Sequence, residues 1–369
     1  MKIVNTGSTF KIYSDNLRVM DRIPAATYAV SFNKEQGFIL ELQPDIVVKE
    51  KTYGVLDEKV NKVLNTFDKF ERNLGVILSG KKGIGKSMYA KLLAQRAVSK
   101  GLPLFVVNNF IPGIADYLAS IEQEAVVLFD EFDKTFNSGH KNDIGDPQTE
   151  MLTLFDGLYQ GKKLFVVTCN DLYNLNDYLV NRPGRFHYHF RFECPNADEI
   201  REYLKDKMPE EYHKEIEEVV KFSGKVEVNY DCLRAIAFEI QNSGSFKSAI
   251  KDLNIVNNNE SATYEVIITF ESGYKTVVTE VIDMFSADEE TVSVRNKNGR
   301  WVALHFVPAK GNLIYDKIPS VIMTKDNIVT DYEEENNQDW IAEAPELYSD
   351  KAESIVIRRK PSETLHFTV

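Results

Sequence analysis

The sequence is poor in cysteine: Cys169, Cys194 and Cys232 are the three in 369 residues, with no CxxC pair and no metal-ligand spacing. An odd, scattered set excludes a disulfide scaffold and suits a reducing, cytoplasmic setting. No apolar run approaches the ~18 residues that cross a bilayer, so no membrane partner is expected. The opening MKIVNTGSTFKIYSDN has no apolar stretch behind its lysine, so no secretory leader is expected either. An excess of positive charge is also missing. Lys and Arg total 44 against 56 Asp and Glu, a formal net charge of −12. That balance disfavours non-specific duplex binding as the main activity, while leaving room for a local basic patch. What is present is the mix of a soluble globular chain, 43% hydrophobic and 27% charged, long enough for two or three domains.

Hydrophobic periodicity divides the chain. Thr27–Phe32 and Phe38–Leu42, joined by a five-residue turn ending in Gly37, read as a hairpin in a small β module over residues 1–50. Val55, Val60, Val63, Leu64 and Phe67 then recur at helical spacing, predicting an amphipathic helix over 56–70. Leu74–Ser79 is an apolar strand, followed by a glycine-rich loop and a helix over 86–99. Unbroken apolar runs at 104–107, 125–129 and 164–167 read as strands buried on both faces. With helices between them they predict an α/β core with a parallel sheet, over 51–197. Four helical segments fill 198–257, and an Asn-rich linker follows. Strands at 264–270, 276–281, 291–294 and 300–304 predict a C-terminal β domain over 262–330. In the last segment, 331–369, residues 331–350 carry eight acids and no bases, a solvated acidic stretch.

The loop is Gly80-Lys81-Lys82-Gly83-Ile84-Gly85-Lys86-Ser87, which fits GxxxxGK[ST] between a strand and a helix. Its glycines let backbone N–H groups turn inward around phosphate oxygens. The helix N-terminus aims its positive end at the same anion. Lys86 is expected to reach the β- and γ-phosphates and Ser87 to ligate Mg²⁺. The next buried strand ends in Asp130-Glu131. Asp130 is the expected second Mg²⁺ residue, and Glu131 the base for an attacking water. Asp133 and Lys134 read as surface polar residues.

Strand 164–168 ends in Thr168-Cys169-Asn170, where an Asn can hold the water near the γ-phosphate. Downstream, Asn181-Arg182-Pro183-Gly184-Arg185-Phe186 sets two arginines in a Pro-Gly turn, poorly explained by packing. Arginine presents a planar fork to phosphate, so one or both are candidates to act on a neighbour's nucleotide. His187 and His189 share a strand face and read as structural. Cys169 has no His partner in the sequence, so it is not read as a nucleophile. The polar loop 137–147 fits a second pore loop, a subunit contact or a surface loop equally well.

Taken together, GKKGIGKS at 80–87, VVLFDEFD at 126–133, MLTLFDGL at 151–158, VVTCN at 166–170 and NRPGRF at 181–186 resemble the AAA ATPases, the AAA-proper branch of the AAA+ superfamily. The resemblance covers 74–195, with a weaker stretch to 255. It implies an α/β ATPase core with a helical lid, ATP and Mg²⁺ as cofactors, and a homo-oligomeric, usually hexameric, ring that remodels macromolecules. By it Asn170 is the sensor-1 residue, and Arg182 and Arg185 are arginine fingers for the adjacent subunit. Tyr53-Gly54 would supply backbone contacts to adenine. Phe110, in Phe110-Ile111-Pro112-Gly113, stands where family members carry a pore loop, but Pro112 interrupts the triplet and a packed Phe is the alternative. Arg234 lies where a sensor-2 arginine of the wider superfamily stands, although AAA-proper members commonly lack one. A single core between unfamiliar β flanks also resembles ATPases of tailed phages.

Three function classes follow. The first is an ATP-driven ring remodeller whose flanking β domains take a protein substrate or adaptor. The second is a nucleic-acid loader or initiator, disfavoured by the charge and by the lack of a recognisable DNA-binding helix pair. The third is an ATP-switched scaffold; the complete set of hydrolytic residues argues against it.

Overall fold

The computed structural model describes residues 1–53, 56–136, 146–157, 161–180, 182–251, 253, 255, 263–284, 286–316, 318–332 and 344–359. The polar loop lies outside them except for Asp146 and Pro147, as does most of the acidic stretch. Residues 1–193 and 194–369 form two compact units.

The first unit opens with β1 (Lys2–Thr6) and β2 (Thr9–Tyr13), a hairpin paired only with itself among the described residues. Next come β3 (Thr27–Asn33), β4 (Gly37–Leu42), α1 (Leu56–Lys69), β5 (Leu74–Ser79) and α2 (Lys86–Ser99). Then follow β6 (Leu104–Val107), α3 (Ile114–Ser120), β7 (Ala125–Phe129), α4 (Phe132–Thr135), α5 (Pro147–Asp156), β8 (Lys163–Cys169) and β9 (Tyr188–Arg191). One sheet runs β4-β3-β6-β7-β8-β5-β9, and all its pairings are parallel except β3 with β4. The unbroken apolar runs are its centre: β5, β7 and β8 are buried at every position. A parallel sheet needs both faces covered, which explains why no polar alternation marks these strands. The unit is an α/β fold with additional β structure at its start.

One boundary differs from the sequence reading. The hairpin 27–42 is not part of a separate module over 1–50. Thr27, Tyr28 and Ala29 of β3 pair in parallel with Leu104, Phe105 and Val106 of β6, so the hairpin extends the edge of the central sheet. Tyr28 sits in the main core, with Val30, Phe38 and Leu40 packed against it. A two-stranded hairpin alone buries too little to be stable, and the open edge of β6 supplies the missing partner.

In the second unit, α6 (Ala197–Lys207), α7 (Ile216–Ser223), α8 (Tyr230–Ser243) and α9 (Phe246–Ala249) precede strands β10 (Thr263–Phe270) to β17 (Ala352–Arg359). Asn196 starts α6 with a capping box closed by Glu199. The strands form an antiparallel five-stranded and a three-stranded sheet around one core of residues such as Val266, Ile268, Phe270, Leu304 and Met323. Strand β10 alternates buried and half-buried positions as its period of two requires. The helices and strands expected as separate domains join here, with the Tyr264 hydroxyl donating to the Lys225 carbonyl at 3.2 Å.

Candidate functional site

Strands β7, β8 and β5 are neighbours in the sheet and end side by side, so the residues just beyond them converge. In open parallel sheets this carboxyl edge is where ligands bind.

The loop after β5 turns on Gly80, Gly83 and Gly85, with φ of 136°, 75° and 101°. Such angles strain any residue with a Cβ. At Gly80 a Cβ would also lie 2.4 Å from the Phe192 carbonyl oxygen, so the loop closes against its neighbour only with glycine there. Lys81 and Lys82 are exposed and Ile84 is buried, anchoring the loop between the glycines. Gly85 starts α2 in place of a side-chain cap, which leaves the first N–H groups of the helix directed at the loop. Lys86 is 8% exposed. Its Nζ donates to the carbonyls of Gly80 and Lys81 (2.7 Å) and to Oδ1 of Asn170 (3.1 Å). Burial pushes its pKa down, opposed by the nearby Cys169, Asp133, Asp130 and Glu131. Ser87 is exposed at the first turn of α2.

Beyond β7, Asp130 accepts from the Thr168 hydroxyl at 2.6 Å, and the Glu131 N–H donates to that same hydroxyl at 2.8 Å. Glu131 has φ 47° and ψ 47°, the one positive-φ non-glycine residue among those described. Backbone of this kind costs about 1–3 kcal/mol and persists where surrounding contacts hold it. The Glu131 carboxylate pairs with Lys134 Nζ at 2.6 Å, which holds its pKa below the usual range. The nearby Asn170 amide and Lys82 act in the same direction. Nevertheless Asn170 Nδ2 is buried and meets no acceptor at hydrogen-bond distance.

Asp133 is the residue the sequence reading missed. It is no surface acid but 3% exposed. Its Oδ2 accepts the backbone N–H of Asn170 (3.0 Å) and of Asp171 (3.3 Å), so it sets the turn that carries Asn170. The sequence signal was its place one turn beyond Asp130, next to the buried Phe132 and one turn before the buried Phe136. Cys169, between these groups, is buried, and burial pushes its thiol up to about 12. That keeps it protonated and inert.

The two arginines part company. Arg185 is buried and binds Asp156 through both Nε and Nη2, the latter at 2.7 Å. Asp156 is held well below the usual carboxylate range by that contact. Within this unit Arg185 is therefore held in an ion pair with Asp156. Its partner, at the end of α5, was not apparent from the Pro-Gly turn. Arg182 is exposed, with its guanidinium 5.7 Å from the Tyr178 ring centroid. Asn181 and Gly54 lie outside the described residues. Tyr53 is buried, with Lys51 Nζ 5.2 Å from its ring centroid. Phe110 is half-buried and packs edge-on against Phe136, the packed alternative. His189 bonds Ser79 at 2.6 Å and His187 lies edge-on to Phe70, both in structural settings. Arg234 is exposed on α8 of the second unit.

The donor set fits a Mg²⁺-nucleoside triphosphate. A loop that only glycine can line, a buried ammonium, the orphaned Asn170 Nδ2 and the hard oxygens of Ser87 and Asp130 are what phosphates and Mg²⁺ require.

Comparison with known proteins agrees with this chemistry. Residues 76–194 match the family described as "ATPase family associated with various cellular activities (AAA)". An "AAA ATPase forming ring-shaped complexes" from Bifidobacterium dentium is 25% identical over 56% of this chain and 45% of its own length. The proteasome-activating nucleotidase of Methanothermobacter thermautotrophicus is 24% identical, over 55% of each chain. The ATP-dependent zinc metalloprotease FtsH of Aster yellows witches'-broom phytoplasma is 28% identical over 36% of this chain and 21% of its own. The chain thus spans about half the length of these relatives, or less.

Proposed function

We propose that this chain, an AAA-family ATPase by the match over residues 76–194, hydrolyses ATP within a homo-oligomeric ring and uses the energy to remodel a protein assembly. The observation that carries the reading is the convergence of Lys86, Asn170 and the Asp130-Glu131 pair at the ends of three adjacent parallel strands.

The roles follow from position. The loop N–H groups and Lys86 hold the β- and γ-phosphates. Ser87 and Asp130 would hold Mg²⁺, which would supply positive charge against the phosphate oxygens. Glu131 takes a proton from the water that attacks the γ-phosphorus, and Asn170 orients that water through the side chain that Lys86 and the Asp133-braced turn fix. Arg182, exposed at the surface, acts on the nucleotide of a neighbouring subunit. The printed name of the Bifidobacterium relative, which forms ring-shaped complexes, supports the ring. The second unit's β sheets and the N-terminal hairpin are the candidate surfaces for substrate or adaptor.

The test is the solution mass of Glu131→Gln with and without ATP, alongside its turnover. The expected result is a shift to about six times the monomer mass on ATP binding, with hydrolysis reduced about 100-fold or more. A monomer or dimer in saturating ATP would overturn the ring, and wild-type turnover would remove Glu131 as the base.

A further inference from the structure

We infer that Thr168 is a positioning residue for the acid pair: its single hydroxyl sets the Asp130 carboxylate and the Glu131 backbone in register with each other. The inference rests on the ATPase reading above.

Thr168 is 1% exposed and stands near the end of β8. The ladder between β7 and β8 stops at Phe129 opposite Val167, so Asp130 and Glu131 lie beyond the last cross-strand backbone pair. The hydroxyl takes over where the ladder ends. It offers one donor and two acceptor sites. The donor goes to Asp130 Oδ1 at 2.6 Å, and an acceptor receives the Glu131 N–H at 2.8 Å. Both partners are groups on which hydrolysis depends, and one atom binds them.

The surrounding sequence sharpens the argument. Val166 and Val167 precede Thr168 in the same buried strand, so a β-branched apolar residue would satisfy packing there. A hydroxyl in that place is costly unless it is fully bonded, and here it is bonded to the site alone. Replacing it by valine keeps the shape, leaves the Glu131 N–H without its partner, and frees the Asp130 carboxylate to rotate. The left-handed backbone of Glu131 would then lose a contact that over-determines it. Asp133 performs the matching task one turn on, fixing the Asn170 turn from the β7 side. Thr168 reaches from β8 to the residues just past β7, and Asp133 from α4 to the residues just past β8, a reciprocal brace between the acids and Asn170.

The experiment compares full-length wild type, Thr168→Val and Thr168→Ser. It measures ATP turnover, binding of a fluorescent non-hydrolysable ATP analogue across a Mg²⁺ series, and thermal unfolding. Thr168→Val is expected to lower kcat about tenfold or more, with analogue Kd at saturating Mg²⁺ within about twofold of wild type. The Mg²⁺ concentration needed for half-maximal analogue binding should rise, because Asp130 is no longer held. Thr168→Ser, which keeps the hydroxyl, should restore both. Unchanged kcat and Mg²⁺ dependence in Thr168→Val would overturn the inference. So would a serine variant no better than valine, or a valine variant that loses binding and thermal stability in step with kcat, the mark of a merely structural role. The Mg²⁺ series needs no turnover. If wild type binds the analogue but does not hydrolyse ATP, the ATPase reading fails while the hold of Thr168 on Asp130 is still read from the binding curves.

Discussion

Two buried lysines flank strand β8, Lys163 at its start and Lys86 of α2 beyond its end, and the two are used differently. Lys163 begins the strand, 2% exposed, and its Nζ donates to the carbonyls of Ile121 (2.6 Å), Gln123 (3.0 Å) and Gly161 (3.0 Å). Lys86 lies beyond the other end. It also meets two carbonyls, but its third partner is the Asn170 side chain, with the Asp130, Glu131 and Asp133 carboxylates around it. One ammonium is saturated by backbone carbonyls and pins the 121–123 segment to the start of β8. The other is held by two carbonyls of the phosphate loop and a side chain, within a field of acids. A buried cation satisfied by fixed carbonyls is structural; one whose partners can re-form around an anion is available for chemistry.

The comparison breaks most visibly in a pair of variants. Lys86→Ala should weaken ATP binding about 100-fold or more, because a charge-assisted contact to phosphate is lost. Its unfolding free energy should change little, since the loop carbonyls are near solvent. Lys163→Met should do the reverse, with nucleotide affinity unchanged and stability lower by about 2 kcal/mol from carbonyls left unpaired. Isothermal binding and denaturant melts on both proteins read this directly. Equal loss of binding in the two would erase the distinction.

The two arginines repeat the contrast at smaller scale. Arg182→Ala should reduce hydrolysis about 1000-fold, as loss of a finger does, with stability within about 0.5 kcal/mol of wild type. Mixing it with Lys86→Ala subunits should restore part of the activity if the residue acts across subunits. No restoration would argue for a site complete within one chain. Arg185→Ala should instead cost about 1–2 kcal/mol, the loss from breaking a charge-assisted pair in which Arg185 is buried but the Asp156 carboxylate is 38% exposed and screened by water.

How much of this was legible beforehand follows from distance along the chain. The phosphate loop is contiguous, so its spacing alone pointed to Lys86 and Ser87 as candidates. The sheet's centre was legible because a strand buried on both faces writes an unbroken apolar run. Asp133, Thr168 and Lys163 were not, because their roles depend on partners 37, 38 and up to 42 positions away. The ion pair of Arg185 was hidden for the same reason: its partner Asp156 lies 29 positions upstream. The hairpin 27–42 was placed in the wrong body because hairpin pairing is local, whereas the pairing of β3 with β6 joins segments with two strands and two helices between them. A polar residue closing an apolar strand run was the one local clue to Thr168, since such a group must find partners when buried.

Lys163 offers the finest test of the contrast, because its proton responds to its surroundings. Burial pushes its pKa down to about 8 from an ordinary 10.5. The folded chain therefore gives up this proton before the unfolded chain does. Between about pH 8 and 10.5 the unfolded state binds more protons, so this group's contribution to stability grows as pH rises through that window and is lost as pH falls through 8. Wild type should show that rise in denaturant melts taken at pH 7.5, 8.5 and 9.5, and Lys163→Met should lack it, so the gap between them should widen with pH. A constant gap would mean that the three carbonyls hold the ammonium charged throughout, which would make Lys163 a permanent cationic pin and separate it still further from Lys86.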